Sequence, residues 1–158
     1  MTPKKMNAPV QHVSHDTGDG QVYKSPSLAV DGVLIFEGKV LLVKRKRDPF
    51  AGKWALPGGF VEYWETTENA VARELLEETA LRAKAVALIG VYSAPNRDPR
   101  KHVISVAYLL SDYKGVPKGS DDAKEARWWP LDGLPKLAFD HAKILRDGLQ
   151  ILREERRK

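Results

Sequence analysis

The stretch from Gly59 to Leu81 reads GFVEYWETTENAVARELLEETAL. From Thr66 to Ala80 its pattern is helical. Thr66 and Thr67 both suit the N-cap position, and Glu68 suits the positive end of the helix dipole. On a wheel of about 100° per residue, Val71, Ala72, Leu75, Leu76 and Thr79 fall on one side, where they can be buried. Glu74, Glu77 and Glu78 fall within a neighbouring arc of about 100°. Like charges at this spacing repel by roughly a few tenths of a kcal/mol even in water. Two readings of the arc stand: a solvated acidic face, or carboxylates gathered for a cation. Arg73 and Glu65 relieve part of the repulsion, and a divalent cation relieves more. Hard oxygen donors without His or Cys suit Mg²⁺ or Mn²⁺. The preceding turn, Leu56-Pro57-Gly58-Gly59, favours the cation reading, because backbone without side chains can approach a metal or a phosphate closely.

Outward from this segment the texture alternates. Leu28–Phe36 and Val40–Lys44 are β-rich runs joined by Glu37-Gly38-Lys39, a hairpin signature. Arg47–Lys53 reads as a loop and Trp54–Leu56 as a short apolar piece. Beyond the helix, Val86–Tyr92 and Val103–Leu110 are strand candidates flanking the loop Ala94–Lys101. After another loop, Gly115–Lys124, comes a short strand, Glu125–Trp129. Near the C-terminus, within Phe139–Arg156, the residues Ile144, Leu145, Leu149 and Leu152 keep helical spacing. Strands, one central helix, more strands and a closing helix make a mixed α/β or α+β domain. Residues 1–24 are polar and turn-rich and read as a flexible tail, which leaves 25–158 as a single domain.

Composition narrows the function. A chain of 158 residues is one ordinary domain with a real core. The absence of cysteine excludes disulfides, thiolate zinc sites and cysteine nucleophiles. The four histidines, His12, His15, His102 and His141, lack the spacing of a zinc-binding helix. No apolar run is long enough to span a membrane, and no apolar region follows the N-terminal lysines as in a secretory signal, so a cytoplasmic protein is expected. The net charge of +5 is concentrated in Lys44–Arg47 and Arg153–Lys158, which argues against a nucleic-acid surface. Arg45, in the first of these runs, stands just before the glycine turn and is a candidate for substrate phosphates.

Segment 59–81 resembles the Nudix box, the signature of hydrolases that cleave a nucleoside diphosphate linked to another moiety. Gly59, Glu65, Arg73, Glu74, Leu75, Glu77, Glu78 and Leu81 meet its pattern in register; Ala80 stands where the family has glycine. The resemblance implies an α/β/α sandwich with a mixed β-sheet over about 25–150. It implies that Glu74, Glu77, Glu78 and the Gly58 carbonyl hold divalent metal, that Arg73 orients the glutamates and that Glu65 pairs with Arg73. In some members the residue matching Glu74 is instead a base. Ala80 is expected at negative φ, ending the helix without strain.

The wider strings GVYSAPNRDPRKHVISVAYL, ALPGGFVEYWET and LAFDHAKIL resemble the ADP-ribose pyrophosphatase branch, which has a proline near the position of Pro95. In the loop Asn96-Arg97-Asp98-Pro99-Arg100, Arg97 or Arg100 can grip a terminal ribose phosphate, the alternative being a surface loop salt-bridged through Asp98. An additional acid is expected before Trp128-Trp129, with Asp122 the first choice and Glu125 the second. Phe139, Trp54, Tyr92 and Trp128 are candidates to stack on adenine, with core packing the alternative for each. The expectation is a Mg²⁺-dependent (or Mn²⁺-dependent) hydrolase of ADP-ribose, with a nucleoside diphosphate compound as its partner, no nucleic acid and no membrane. A homodimer is expected from the resemblance only. The rivals are a housecleaning pyrophosphatase of oxidised nucleoside triphosphates and a non-catalytic sensor of ADP-ribose-type ligands.

Overall fold

The computed structural model describes residues 14–16, 18–20, 22–117 and 125–158. Strands β1 (Ser14–Asp16) and β2 (Val22–Lys24) pair antiparallel in a two-stranded sheet of their own. The spine of the main sheet is β3 (Ser27–Phe36), which turns back into β4 (Lys39–Lys44) through Glu37 and Gly38. Both turn residues have positive φ, 48° and 73°, as a tight hairpin turn between right-twisted strands requires.

One edge of β3 runs parallel to β8 (Val103–Lys114), from Ser27 opposite Val103 to Leu34 opposite Leu110. Its antiparallel partners divide the strand: Ala29–Asp31 pair with β6 (Gly58–Phe60), and Ile35–Phe36 pair with β4. The remaining strands, β5 (Trp54–Ala55) and β9 (Ala126–Pro130), pair with β4, while β7 (Arg82–Tyr92) pairs with β8. The sheet is therefore mixed and forks along β3.

Alternation along the strands builds two cores. Val30, Leu34, Leu41, Tyr108 and Leu110 pack with Ala70, Val71 and Leu75 of α1 (Thr67–Thr79). Val33, Val40, Leu42, Ala107 and Leu109 pack with Ile144 and Leu145 of α2 (His141–Glu155). Truncating a fully buried side chain such as Leu75 to Ala costs about 2–5 kcal/mol in such a core. The α/β/α sandwich matches the expected fold class. Gly32 sets how closely α1 approaches: a Cβ there would lie 2.7 Å from Leu110 Cδ1 and 3.0 Å from Val71 Cγ2.

The helix carrying the glutamates starts at Thr66, whose side chain accepts from the Asn69 N–H at 3.1 Å. Its end corrects an expectation. Ala80 is left-handed, φ 63° and ψ 9°, rather than at negative φ. Its N–H closes on Leu76 O at 2.9 Å while the chain turns to bury Leu81 and enter β7 at Arg82. That reversal within one residue is what a left-handed cap provides. Strands β7 and β8 are also longer than the apolar runs suggested, and Gly58-Gly59 belongs to a strand rather than a free turn. Among the described residues no helix is long and apolar enough to cross a membrane.

Candidate active site

A cleft of about 720 Å³ opens where the sheet forks, between α1 and the loop that precedes β8. One wall is built by Arg73, Glu74, Glu77 and Glu78 of α1, together with Gly58 and Gly59 of β6. Arg73 organises this wall. Its Nε and Nη2 bind both oxygens of Glu65 at 2.6 and 2.9 Å, and its Nη1 reaches Glu74 at 2.8 Å and Glu77 at 3.3 Å. Nη2 also donates to Phe60 O at 3.1 Å, tying the helix to β6. Bidentate guanidinium–carboxylate pairs of this kind fix orientation as well as charge.

The two glycines are explained by what surrounds them. A Cβ on Gly59 would overlap the Glu74 carboxylate, and one on Gly58 would overlap Val30 O and Asp31. Glu78 is buried, 5% exposed, and accepts from the Gly58 N–H at 3.4 Å. Burial raises the Glu74 carboxyl above its ordinary range; Arg73 opposes the rise and Glu77 adds to it. The hydrogen bonds from Arg73 hold the Glu65 carboxyl at about 2, against its partial burial.

The opposite wall carries three arginines. Arg97 is clamped by Asp140 at 2.9 and 2.7 Å and lies 3.7 Å from Asp31. Arg100 is clamped by Asp98 at 3.1 and 2.8 Å. Arg45 donates to the carbonyls of Pro49, at 2.8 Å, and Arg47, and its guanidinium lies 4.8 Å from the Phe139 ring. Burial and the neighbouring Arg100 lower the Arg45 pKa. The floor holds Asp31 and His141, two buried polar residues that the sequence reading did not place in the site. The signal for Asp31 was present: a lone acid inside the apolar strand LAVDGVLIF.

Of the expected site residues, Arg45, Gly58, Gly59, Arg73, Glu74, Glu77, Glu78, Arg97 and Arg100 line this one cleft, with Glu65 bound behind Arg73. Pro95 is exposed and does not line it. Glu125 is also outside the lining; it lies 4.0 Å from Lys44 Nζ on the far strand pair. Asp122 lies outside the described residues. Among the stacking candidates only Phe139 lines the cleft. Trp54 and Tyr92 are buried in the α2-side core, and Trp128 packs with Phe36 and Tyr113.

All of the donors on the acidic wall are hard oxygens, which suits a divalent cation such as Mg²⁺ or Mn²⁺. Among the described residues, no three acid or histidine side chains are already gathered as a cage. Glu74 and Glu77 turn to Arg73 instead, so cation binding competes with that guanidinium.

The NUDIX domain model matches residues 26–148, and the chain belongs to that family. It is 55% identical over 130 residues to an ADP-ribose pyrophosphatase of Methanocaldococcus jannaschii, covering 82% of this chain and 77% of the relative. A MutT/nudix family protein from Enterococcus faecalis superposes with a TM-score of 0.75 at 34% identity, over 84% of this chain and 64% of that one. The NUDIX domain of Shewanella oneidensis NrtR, solved with ADP ribose, superposes with a TM-score of 0.74 at 30% identity, over 87% of this chain and 94% of that one.

Proposed function

We propose that the chain hydrolyses ADP-ribose at its pyrophosphate, adding water to give AMP and ribose 5-phosphate, with Mg²⁺ or Mn²⁺ as cofactor. The observation that carries this reading is a single cleft with carboxylates on one wall and three arginines on the other. A diphosphate would meet the arginines directly and the carboxylates through a divalent cation. The relationship to the M. jannaschii pyrophosphatase supports the same substrate.

Glu74, Glu77, Glu78 and the Gly58 carbonyl would hold the cation. When bound, it neutralises phosphate oxygens and acidifies water. The chain's own groups do the rest. Arg73 holds Glu65 and Glu74 in place, and Gly59 leaves room for the Glu74 carboxylate. In the alternative arrangement Glu77, Glu78 and the Gly58 carbonyl hold the cation, and Glu74, whose burial raises its proton affinity, accepts the proton of the attacking water. Arg45 supplies positive charge whose hydrogen bonds go to carbonyl oxygens.

A substrate panel with Mg²⁺ and product identification tests the reading. ADP-ribose is expected to give AMP and ribose 5-phosphate with the highest kcat/KM. A kcat/KM about tenfold higher for 8-oxo-dGTP, with pyrophosphate released, would replace this reading by the housecleaning one.

A further inference from the structure

We propose that His141 is a positioning residue for the reaction: it holds the Leu56–Gly58 segment, and with it the cation-binding wall, from the first residue of α2. This inference rests on the hydrolase reading above. The Leu56 N–H donates to His141 Nδ1 at 3.0 Å, and His141 Nε2 lies 3.2 Å from Asp31 Oδ1. Since Nδ1 accepts, the ring proton is on Nε2 and is donated to Asp31. Asp31 also accepts from Ser105 Oγ. The main chain of Asp31 pairs with Gly58, and Gly32 N–H donates to Pro57 O at 2.8 Å. The segment is thus gripped on one side by β3 and on the other by the imidazole.

Ser, His and Asp together suggest a nucleophilic triad, but the wiring excludes one. Ser105 is fully buried and donates to the carboxylate rather than to the imidazole. His141 is 4% exposed and both of its ring nitrogens are engaged. Neither group is available to attack a substrate or take its proton. What remains is orientation. Gly58 N–H in turn meets Glu78, so a displaced segment would disturb that carboxylate as well. The neighbouring Asp140 does a separate job, holding Arg97 on the basic wall.

Two substitutions separate the two sides of the ring. His141→Gln keeps a donor near the Nε2 position and loses the acceptor for Leu56; His141→Asn keeps an acceptor near Nδ1 and loses the donor to Asp31. His141→Gln is expected to lower kcat roughly tenfold or more with KM within about twofold, because small displacements of a reacting wall are costly. Its Mn²⁺ affinity without substrate, read from the EPR signal of the free ion, should fall by about fivefold or more. His141→Asn should recover most of both losses. Equal losses in His141→Gln and His141→Asn, or parental Mn²⁺ affinity in His141→Gln, would overturn the proposal. In the unaltered protein, a through-hydrogen-bond nitrogen–nitrogen coupling between Leu56 N and His141 Nδ1 is expected, and its absence overturns the proposal even if a variant fails to fold. If the parent does not hydrolyse ADP-ribose, the functional reading fails, while Mn²⁺ affinity and the coupling still decide this one.

Discussion

Glu78 is buried beside Gly58 and accepts its N–H, and in the proposed mechanism it is a ligand of the cation. Glu78→Gln keeps the shape and removes the charge. It is expected to lower kcat by about 100-fold or more while the melting temperature stays close to the parent's, as checked by steady-state kinetics and thermal melts. Ala80 makes the opposite kind of prediction. Its left-handed backbone is strained for a residue with a Cβ. Ala80→Gly relieves that strain, less the entropy glycine adds to the unfolded chain, and should raise stability by roughly 0.5–1 kcal/mol. A denaturation midpoint measures this; a fall would show that the cap is not strained. Turnover should be little changed, since the glutamates lie upstream of the cap.

The loop that enters α1 is tied to Arg73 through Glu65. Glu65 has a pKa of about 2 in the fold against an ordinary 4.5, so the folded state binds fewer protons between these values. The stability it contributes is complete above about pH 4.5 and is lost as pH falls through about 2. The stabilising advantage of the parent over Glu65→Gln should therefore be constant near neutrality and shrink on acidification, as read from melting temperatures against pH. This pair was legible in the sequence because a family pattern fixed its spacing, and the first hairpin and α1 were legible from periodicity. The beginning of β7 was not: Arg82, Ala83, Lys84 and Ala85 alternate only weakly in hydropathy because the inward residues are alanines, and irregularities at Arg82/Lys84, Ala85/Ala87 and Leu88/Gly90 break the register. Asp31 and His141 were missed for a different reason. They are far apart in the chain, and only the packing of α2 against the sheet brings them together.

At the scale of the molecule, no described residue before Ala29 lines the cleft. Deleting residues 1–20 is therefore expected to leave kcat/KM for ADP-ribose within about twofold, and a larger loss would show that this segment contributes to the site. The parallel pairing of β3 with β8 has a consequence in time. Val30 waits for Val106, so the centre of the sheet cannot close while the chain is being made until most of it has emerged. The helix with the glutamates is synthesised after β3 but before β8, which completes the core beneath it, and His141 comes later still. Arg97, Arg100 and the histidine behind the glycines thus join the acidic wall late, and a nascent chain that stops short of α2 has the signature of the enzyme without its complete site.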